Sequence, residues 1–257
     1  MFSKMRTALA FIGLALMGIC LAWLESLPRA ERPIQPVTTT PSDSIPVVVL
    51  DPGHGGQDSG AMCAGILEKD LTLDIAQRVE RRLHDAGLAT MMTRVGDNYI
   101  SLADRAAMTN RLRDCILVSI HFNEGNKTVS SGIETYYAEH QTIGGPLLAS
   151  WLPFLQRVSS ETSNLESQSL AGFIQDALVA HTHAVNRGTK TQQFFVLANV
   201  RHPAVLVEGG FISNKEDAGK LGSPEYREMM AEAINEGILR YREVLKSGRQ
   251  SVPSPTE

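Results

Sequence analysis

The chain is short of several things, and each shortage removes a class of explanation. Its 257 residues include three cysteines, too few for a disulfide framework, and Cys20 falls in an apolar leader. That leaves Cys63 and Cys115, the second inside an apolar run that reads as a core strand. Lysine and arginine total 24 against 28 acidic residues, a formal net charge of −4. With no basic excess to neutralise phosphates, a nucleic-acid partner is not expected. There is no G-x-S-x-G elbow of the kind serine hydrolases use, no Walker-type phosphate loop, and no internal repeat.

What is present begins with an address. Lys4 and Arg6 precede an unbroken apolar run from Thr7 to Leu24, a pattern that sends the rest of the chain across a membrane. The run's length lies between a signal peptide and a spanning anchor. No small-x-small cleavage site follows Trp23, which favours the anchor; residues 1–25 are read as a signal peptide or N-terminal membrane anchor. Pro28, Pro33, Pro36 and Pro41 make 26–45 a Pro-rich linker. The folded domain is expected over 46–246, followed by a polar tail at 247–257. A chain this long, 43% hydrophobic, buries one substantial core.

Within the domain, strand and helix patterns alternate, which predicts an α/β fold: a central twisted, mostly parallel sheet flanked by helices on both faces. Val47–Leu50, Leu88–Thr93, Cys115–Ile120, Gly132–Tyr137, Gln193–Ala198 and Ala204–Val207 are the strand candidates. Leu71, Ile75, Val79 and Leu83 recur at helical spacing, and Gly87 ends that helix. Ser101 with Asp104 resembles a capping box for a helix through Arg113. Pro224 starts a last helix whose apolar stripe is Tyr226, Met230, Ile234, Tyr241 and Leu245. The segment Thr142–Gln168 is the least regular, with Gly144-Gly145-Pro146, an apolar run and a Ser/Thr/Glu-rich patch; it reads as a surface helix plus loop or as a lid.

Chemistry-bearing residues gather at the expected C-terminal edge of the sheet, where ligands of open α/β folds bind. His54 follows the first strand in Asp51-Pro52-Gly53-His54-Gly55-Gly56, His121 follows Ile120, and Glu208 leaves the strand at Val207. Glu68 opens the helix after the first strand. One histidine after a strand is commonly structural; four such groups on one rim are another matter. Two histidines and a carboxylate leave tetrahedral Zn2+ one open position, and a second carboxylate nearby can serve as general base. Cys63 lies between His54 and Glu68 and is an alternative ligand, although catalytic zinc needs only three protein donors.

The blocks VVVLDPGHGG (47–56), EKDLTLDIA (68–76), SIHFN (119–123), NRGTK (186–190) and VEGGFISN (207–214), with the closing helix SPEYREMMAEAINEGI (223–238), resemble the zinc-dependent N-acetylmuramoyl-L-alanine amidases of the amidase_3 family. The resemblance spans about 46–245 in the expected order. It implies one Zn2+ per chain held by His54, Glu68 and His121, with Glu208 as the catalytic carboxylate. It implies a peptidoglycan substrate, cut between N-acetylmuramic acid and the L-alanine of the stem peptide, and therefore a periplasmic or membrane-anchored domain facing the wall. Asn123 and Arg187 are candidate substrate contacts, and Asp51 is a candidate partner for a ligating histidine or a turn cap. Two positions depart from the family pattern: Phe122 stands where a small residue is common, and Gly209 where an apolar one is frequent. Some family members carry a helix that covers the metal, so 142–168 is a candidate gate, with Glu161 or Glu166 as the blocking group and an activator protein as the partner that relieves it. A zinc peptidase acting within the stem, and a catalytically dead peptidoglycan-binding regulator, are the competing readings; retention of all four residues disfavours the second.

Overall fold

Continuous apolar runs in three adjacent strands set the architecture. In β1 (Val47–Pro52), β5 (Cys115–Asn123) and β8 (Ala204–Phe211), both faces of the apolar segments are buried. That is the pattern of a parallel sheet covered on both sides. The computed structural model describes residues 46–63, 65–125, 129–141 and 164–250, with side chains to 247. The leader, the linker and most of the candidate gate, including Glu161, lie outside the described residues. With β4 (Thr90–Met92), β6 (Ile133–Tyr137) and β7 (Asn186–Thr191), the sheet runs in the order β4-β1-β5-β8-β6-β7. Every pairing is parallel except β6 with β8. A two-stranded antiparallel ribbon, β2 (Met62–Cys63) with β3 (Ile66–Leu67), stands apart.

Two hydrophobic clusters lie on opposite faces of the sheet. Val48, Leu50, Ile116, Val118, Ile120, Val205 and Val207 pack with α1 (Glu68–Asp85), α3 (Leu165–Thr182) and α6 (Pro224–Gln250). Val49, Cys115, Leu117, Ala204 and Leu206 pack with the shorter α2 (Leu102–Asn110) and α4 (Phe195–Asn199). The expected helical stripes are the buried ones: Leu71, Ile75, Val79 and Leu83 in α1, and Tyr226, Met230, Ile234 and Tyr241 in α6. Ser101 caps α2 by accepting from Asp104 N at 3.1 Å. Among the described residues no helix is long and apolar enough to cross a membrane.

Several expected boundaries move. β1, β5 and β8 run past their apolar segments, so Asp51, His121 and Glu208 lie within strands. Hydrophobicity marks burial, whereas the hydrogen-bonded ladder continues for as long as a neighbour pairs with it. The strand expected at Gln193–Ala198 is replaced by the short helix α4; a brief apolar run does not tell strand from buried helix. The actual edge strand, β7, is NRGTKT and mostly exposed, so it carries no hydrophobic signal. α3 has no counterpart among the elements expected from sequence, and α6 continues through Gln250. Glu166 is exposed in the first turn of α3, and α5 (Lys215–Gly222) follows β8.

Candidate metal centre and active site

The turn after β1 is held from beneath by two buried arginines. Arg105 donates through Nη1 to Asp51 Oδ1 and to Pro52 O, each at 2.7 Å, and through Nη2 to His54 O at 2.7 Å. Arg94 reaches Pro52 O at 3.1 Å and Gly53 O at 2.8 Å, where Thr72 Oγ1 also donates at 2.9 Å. Three consecutive carbonyls thus point inward at cationic or hydroxyl donors. This fixes His54 at φ 59°, a left-handed backbone that non-glycine residues adopt at a cost of order 1–3 kcal/mol, found mostly at functional sites.

His54 Nε2 lies 3.0 Å from Glu68 Oε1, and His121 Nδ1 lies 3.0 Å from the same oxygen. Glu68 is buried and braced by two backbone amides, Phe122 N on Oε1 at 3.0 Å and Ala61 N on Oε2 at 2.8 Å. Burial raises the Glu68 pKa, but hydrogen bonds and charge from His121 and His54 outweigh it, so the carboxyl lies far below its ordinary range. For His54 burial works downward and the carboxylates of Glu68 and Asp58 work upward; the balance is a raised pKa. Asp58 Oδ2 is 2.9 Å from His54 Nδ1. With Nδ1–H given to Asp58, Nε2 keeps its lone pair for a metal, the usual role of a carboxylate behind a ligating histidine. The His121 ring leans over Gly53, where any Cβ would fall inside the imidazole.

Ligand atoms of His54, Glu68 and His121 all lie within 4.8 Å of one another, the only such group of three among the described residues. Donors on a tetrahedral zinc at about 2.0–2.1 Å sit roughly 3.3 Å apart, so two separations of 3.0 Å suit that ion. The donor set, two imidazoles and one carboxylate, also fits it. Cys63 in β2 is not in the group.

Register carries the next two residues into line. His121, Glu208 and Glu134 are successive cross-strand neighbours on β5, β8 and β6, and Gly53, just past β1, donates its amide to Ile120 O beside His121. Glu208 Oε2 is buried with no hydrogen-bond partner among the described residues. Burial first, then the charges of Glu68 and Glu134, push the Glu208 carboxyl well above its ordinary pKa. An orphaned carboxylate oxygen beside three metal-type donors has the character of an acid–base group waiting for its partner.

The outer candidates share a residue that sequence reasoning missed. Asn123 Nδ2 donates to Glu134 Oε1 at 2.9 Å, and Arg187 Nε to Glu134 Oε2 at 2.7 Å. Tyr136 OH and Lys190 Nζ also donate to Glu134. Its signal in sequence was a lone carboxylate at the centre of the Gly132–Tyr137 strand, a poor place for a charge without a purpose. Among the described residues Asp51 hydrogen-bonds to an arginine and two hydroxyls rather than to a histidine. It is buried and receives Arg105, Thr93 Oγ1 at 2.6 Å and Ser119 Oγ at 2.8 Å. Its influence on His54 passes through Arg105. The partner of the histidine is Asp58, four residues along the same turn.

The family profile described as N-acetylmuramoyl-L-alanine amidase, Amidase_3, matches residues 48–240. The chain belongs to the N-acetylmuramoyl-L-alanine amidase family. AmiA, the N-acetylmuramoyl-L-alanine amidase of Escherichia coli, is 30% identical over 260 residues, covering 92% of this chain and 90% of AmiA. The crystal structure of an N-acetylmuramoyl-L-alanine amidase from Clostridium difficile 630 superposes with a TM-score of 0.66 at 32% identity, covering 78% of this chain and 98% of that one. The CwlD amidase of Clostridioides difficile, solved in complex with the GerS lipoprotein, gives a TM-score of 0.66 at 25% identity over 78% of this chain and all of CwlD.

In this amidase the two departures at Phe122 and Gly209 form a compensating pair. A Cβ on Gly209 would fall 2.7 Å from Phe122 Cε1 and closer still to Met230. The large side chain on β5 occupies the space that the small residue on β8 leaves, on the α6 side of the sheet. Phe122 also meets Glu68, but through its backbone amide, which any residue at that position would supply.

Proposed function

We propose that this amidase hydrolyses the amide between N-acetylmuramic acid and the L-alanine of the peptidoglycan stem, with His54, Glu68 and His121 as zinc ligands and Glu208 as general base. The observation that carries the reading is the convergence of three metal-type donors beside a buried carboxylate oxygen that has no hydrogen-bond partner among the described residues. Zinc, when bound there, supplies Lewis acidity: it lowers the pKa of water toward neutrality and polarises a carbonyl. The chain's own residues do the rest. Asp58 holds the His54 ring, and two backbone amides hold Glu68. Glu208 takes a proton from the attacking water and passes it to the alanine nitrogen, which must be protonated to leave. Its raised pKa suits a group that accepts a proton and returns it.

The apolar leader supports export to the wall, and protease shaving of spheroplasts should degrade the domain. The gate at 142–168 is part of the proposal. CwlD, a relative, is known in complex with a lipoprotein, and a comparable protein partner here would act by opening such a gate. Deletion of 142–163 keeps Asn164, whose side chain caps α3, and should raise basal activity on sacculi. A folded deletion variant with unchanged or lower activity removes the gate. The decisive test of the reaction is mass spectrometry of sacculi after digestion. Amidase action leaves stem peptides with a free L-alanine amino group and glycans bearing a free lactyl carboxyl; cleavage only within the stem would establish a peptidase instead, and no cleavage a regulator.

A further inference from the structure

Beyond the metal donors, the same face of the sheet carries a second polar constellation, assembled by two irregularities. Between His121/Glu208 and Asn123/Phe211, β8 gains one residue over β5, and between Ile133/Asn186 and Thr135/Thr189, β7 gains one over β6. Left-handed glycines sit at both, Gly210 at φ 141° and Gly188 at φ 77°. Such bulges re-aim side chains beside active sites. The first turns Phe211 onto the face of Glu208; the second sets Arg187 opposite Glu134. The Arg187 guanidinium carbon then lies 4.9 Å from the centre of the Phe211 ring, reaching back across β6 toward β8.

Glu134 is met by two cations. It is buried, and one oxygen already receives Asn123 and Tyr136 while the other receives Arg187 and Lys190. Four donors saturate a carboxylate. Arg187 and Lys190 thus place two cations on the same oxygen of one carboxylate. Among the described residues Glu134 engages only Nε of Arg187, so the outer edge of the guanidinium stays available. The side chains of Arg187 and Lys190 are 33% and 38% exposed, so a ligand can reach them. Two like charges held together beside a catalytic carboxylate call for a second anion.

We propose that Arg187 and Lys190, pinned by Glu134, form an anion subsite for a carboxylate on the stem residue that follows L-alanine. The proposal rests on the amidase reading and names the substrate group recognised next to the cut. Strands lie about 4.8 Å apart, which puts β7 roughly 10 Å from β8. Two extended residues span about 7 Å, and the Arg187 side chain covers the remainder.

Two muramyl dipeptides that differ only in that group, free carboxylate or carboxamide, test it on the full-length, zinc-loaded protein. The wild type should prefer the carboxylate by about tenfold in kcat/KM, mostly through KM, the scale of partly exposed charged hydrogen bonds. Arg187→Gln and Lys190→Gln should each shrink that ratio and the double variant bring it to about one, whereas Arg187→Lys keeps part of it. Lys190→Gln, on an exposed edge strand, provides a folded variant if Arg187→Gln does not. No preference in the wild type, or a preference that survives in the double variant, overturns the subsite. If neither compound is cut, the amidase reading fails, and calorimetric binding of L-alanyl-γ-D-glutamate and its amide still decides the subsite. About tenfold weaker binding of the amide by the wild type, abolished in the double variant, supports it; equal binding by the wild type refutes it.

Discussion

Replacing Arg105 by alanine should separate the support of the metal centre from the centre itself. Arg105 is 3% exposed and Asp51 1% exposed, and they meet at 2.7 Å. Removing the arginine leaves the Asp51 carboxylate buried with only two hydroxyl donors, Thr93 and Ser119. Breaking one side of a buried pair costs about 3–5 kcal/mol. The loss also frees the carbonyls of Pro52 and His54, which no longer have Arg105 as donor. A domain of this size loses roughly 2–4 °C of Tm per kcal/mol, so the melting temperature should fall by about 6–20 °C. A stability of order 10 kcal/mol leaves the variant folded at 25 °C. Because His54 hangs from the same guanidinium, zinc affinity should also fall, by roughly 10–100-fold, as when the support behind a metal ligand is lost. Asp51→Asn/Arg105→Gln, which removes both charges, should recover part of the stability. Thermal melts with and without chelator, together with competition titration of zinc, measure both quantities. A variant that melts within a degree of the wild type and binds zinc equally well would refute the reasoning.

Two further outcomes follow from the same structure. Gly209→Ala should destabilise by about 1–3 kcal/mol through overpacking against Phe122 and Met230, and Phe122→Ala in the same chain should restore part of that loss, read by denaturant melts. Glu134 is held down to about 2: burial raises its pKa, and its four donors outweigh that. Because the folded pKa is depressed, the stability it contributes is full above about 4.5 and drains away as pH falls toward about 2. At about 1.4 kcal/mol per unit the displacement amounts to roughly 3 kcal/mol, and solvent screening at Arg187 and Lys190 lowers that to about 1–2 kcal/mol. The gap in Tm between wild type and Glu134→Gln should therefore narrow between pH 5 and pH 3; a gap independent of pH would contradict the assignment.

Legibility in the sequence followed burial. The apolar cores of β1, β5 and β8 and the stripes of α1 and α6 announce themselves because both depend on hydrophobic period. His54, His121 and Glu208 were visible because each follows one of those signals within a few residues, and Glu68 because it stands just before the stripe of α1. β7 was not, since an exposed edge strand has no apolar face, and Arg187 could be named without its strand being placed. Glu134 escaped because its partners come from three separate stretches of chain that only the sheet order brings together. Arg94 and Arg105 escaped for a similar reason: a buried arginine looks like a surface one until the carbonyls it serves are known. Asp51 was singled out for its place beside His54, and proximity in sequence said nothing of the arginine approaching from α2.

The central claim divides two carboxylates, Glu68 as a metal ligand and Glu208 as the proton carrier, and one measurement tests it: zinc content beside turnover for Glu68→Ala and Glu208→Ala. Glu208→Ala should retain about one zinc per chain while turnover of purified sacculi falls about a hundredfold or more, and Glu68→Ala should lose metal and activity together. Equal zinc loss in both variants, or full turnover without Glu208, would contradict the account.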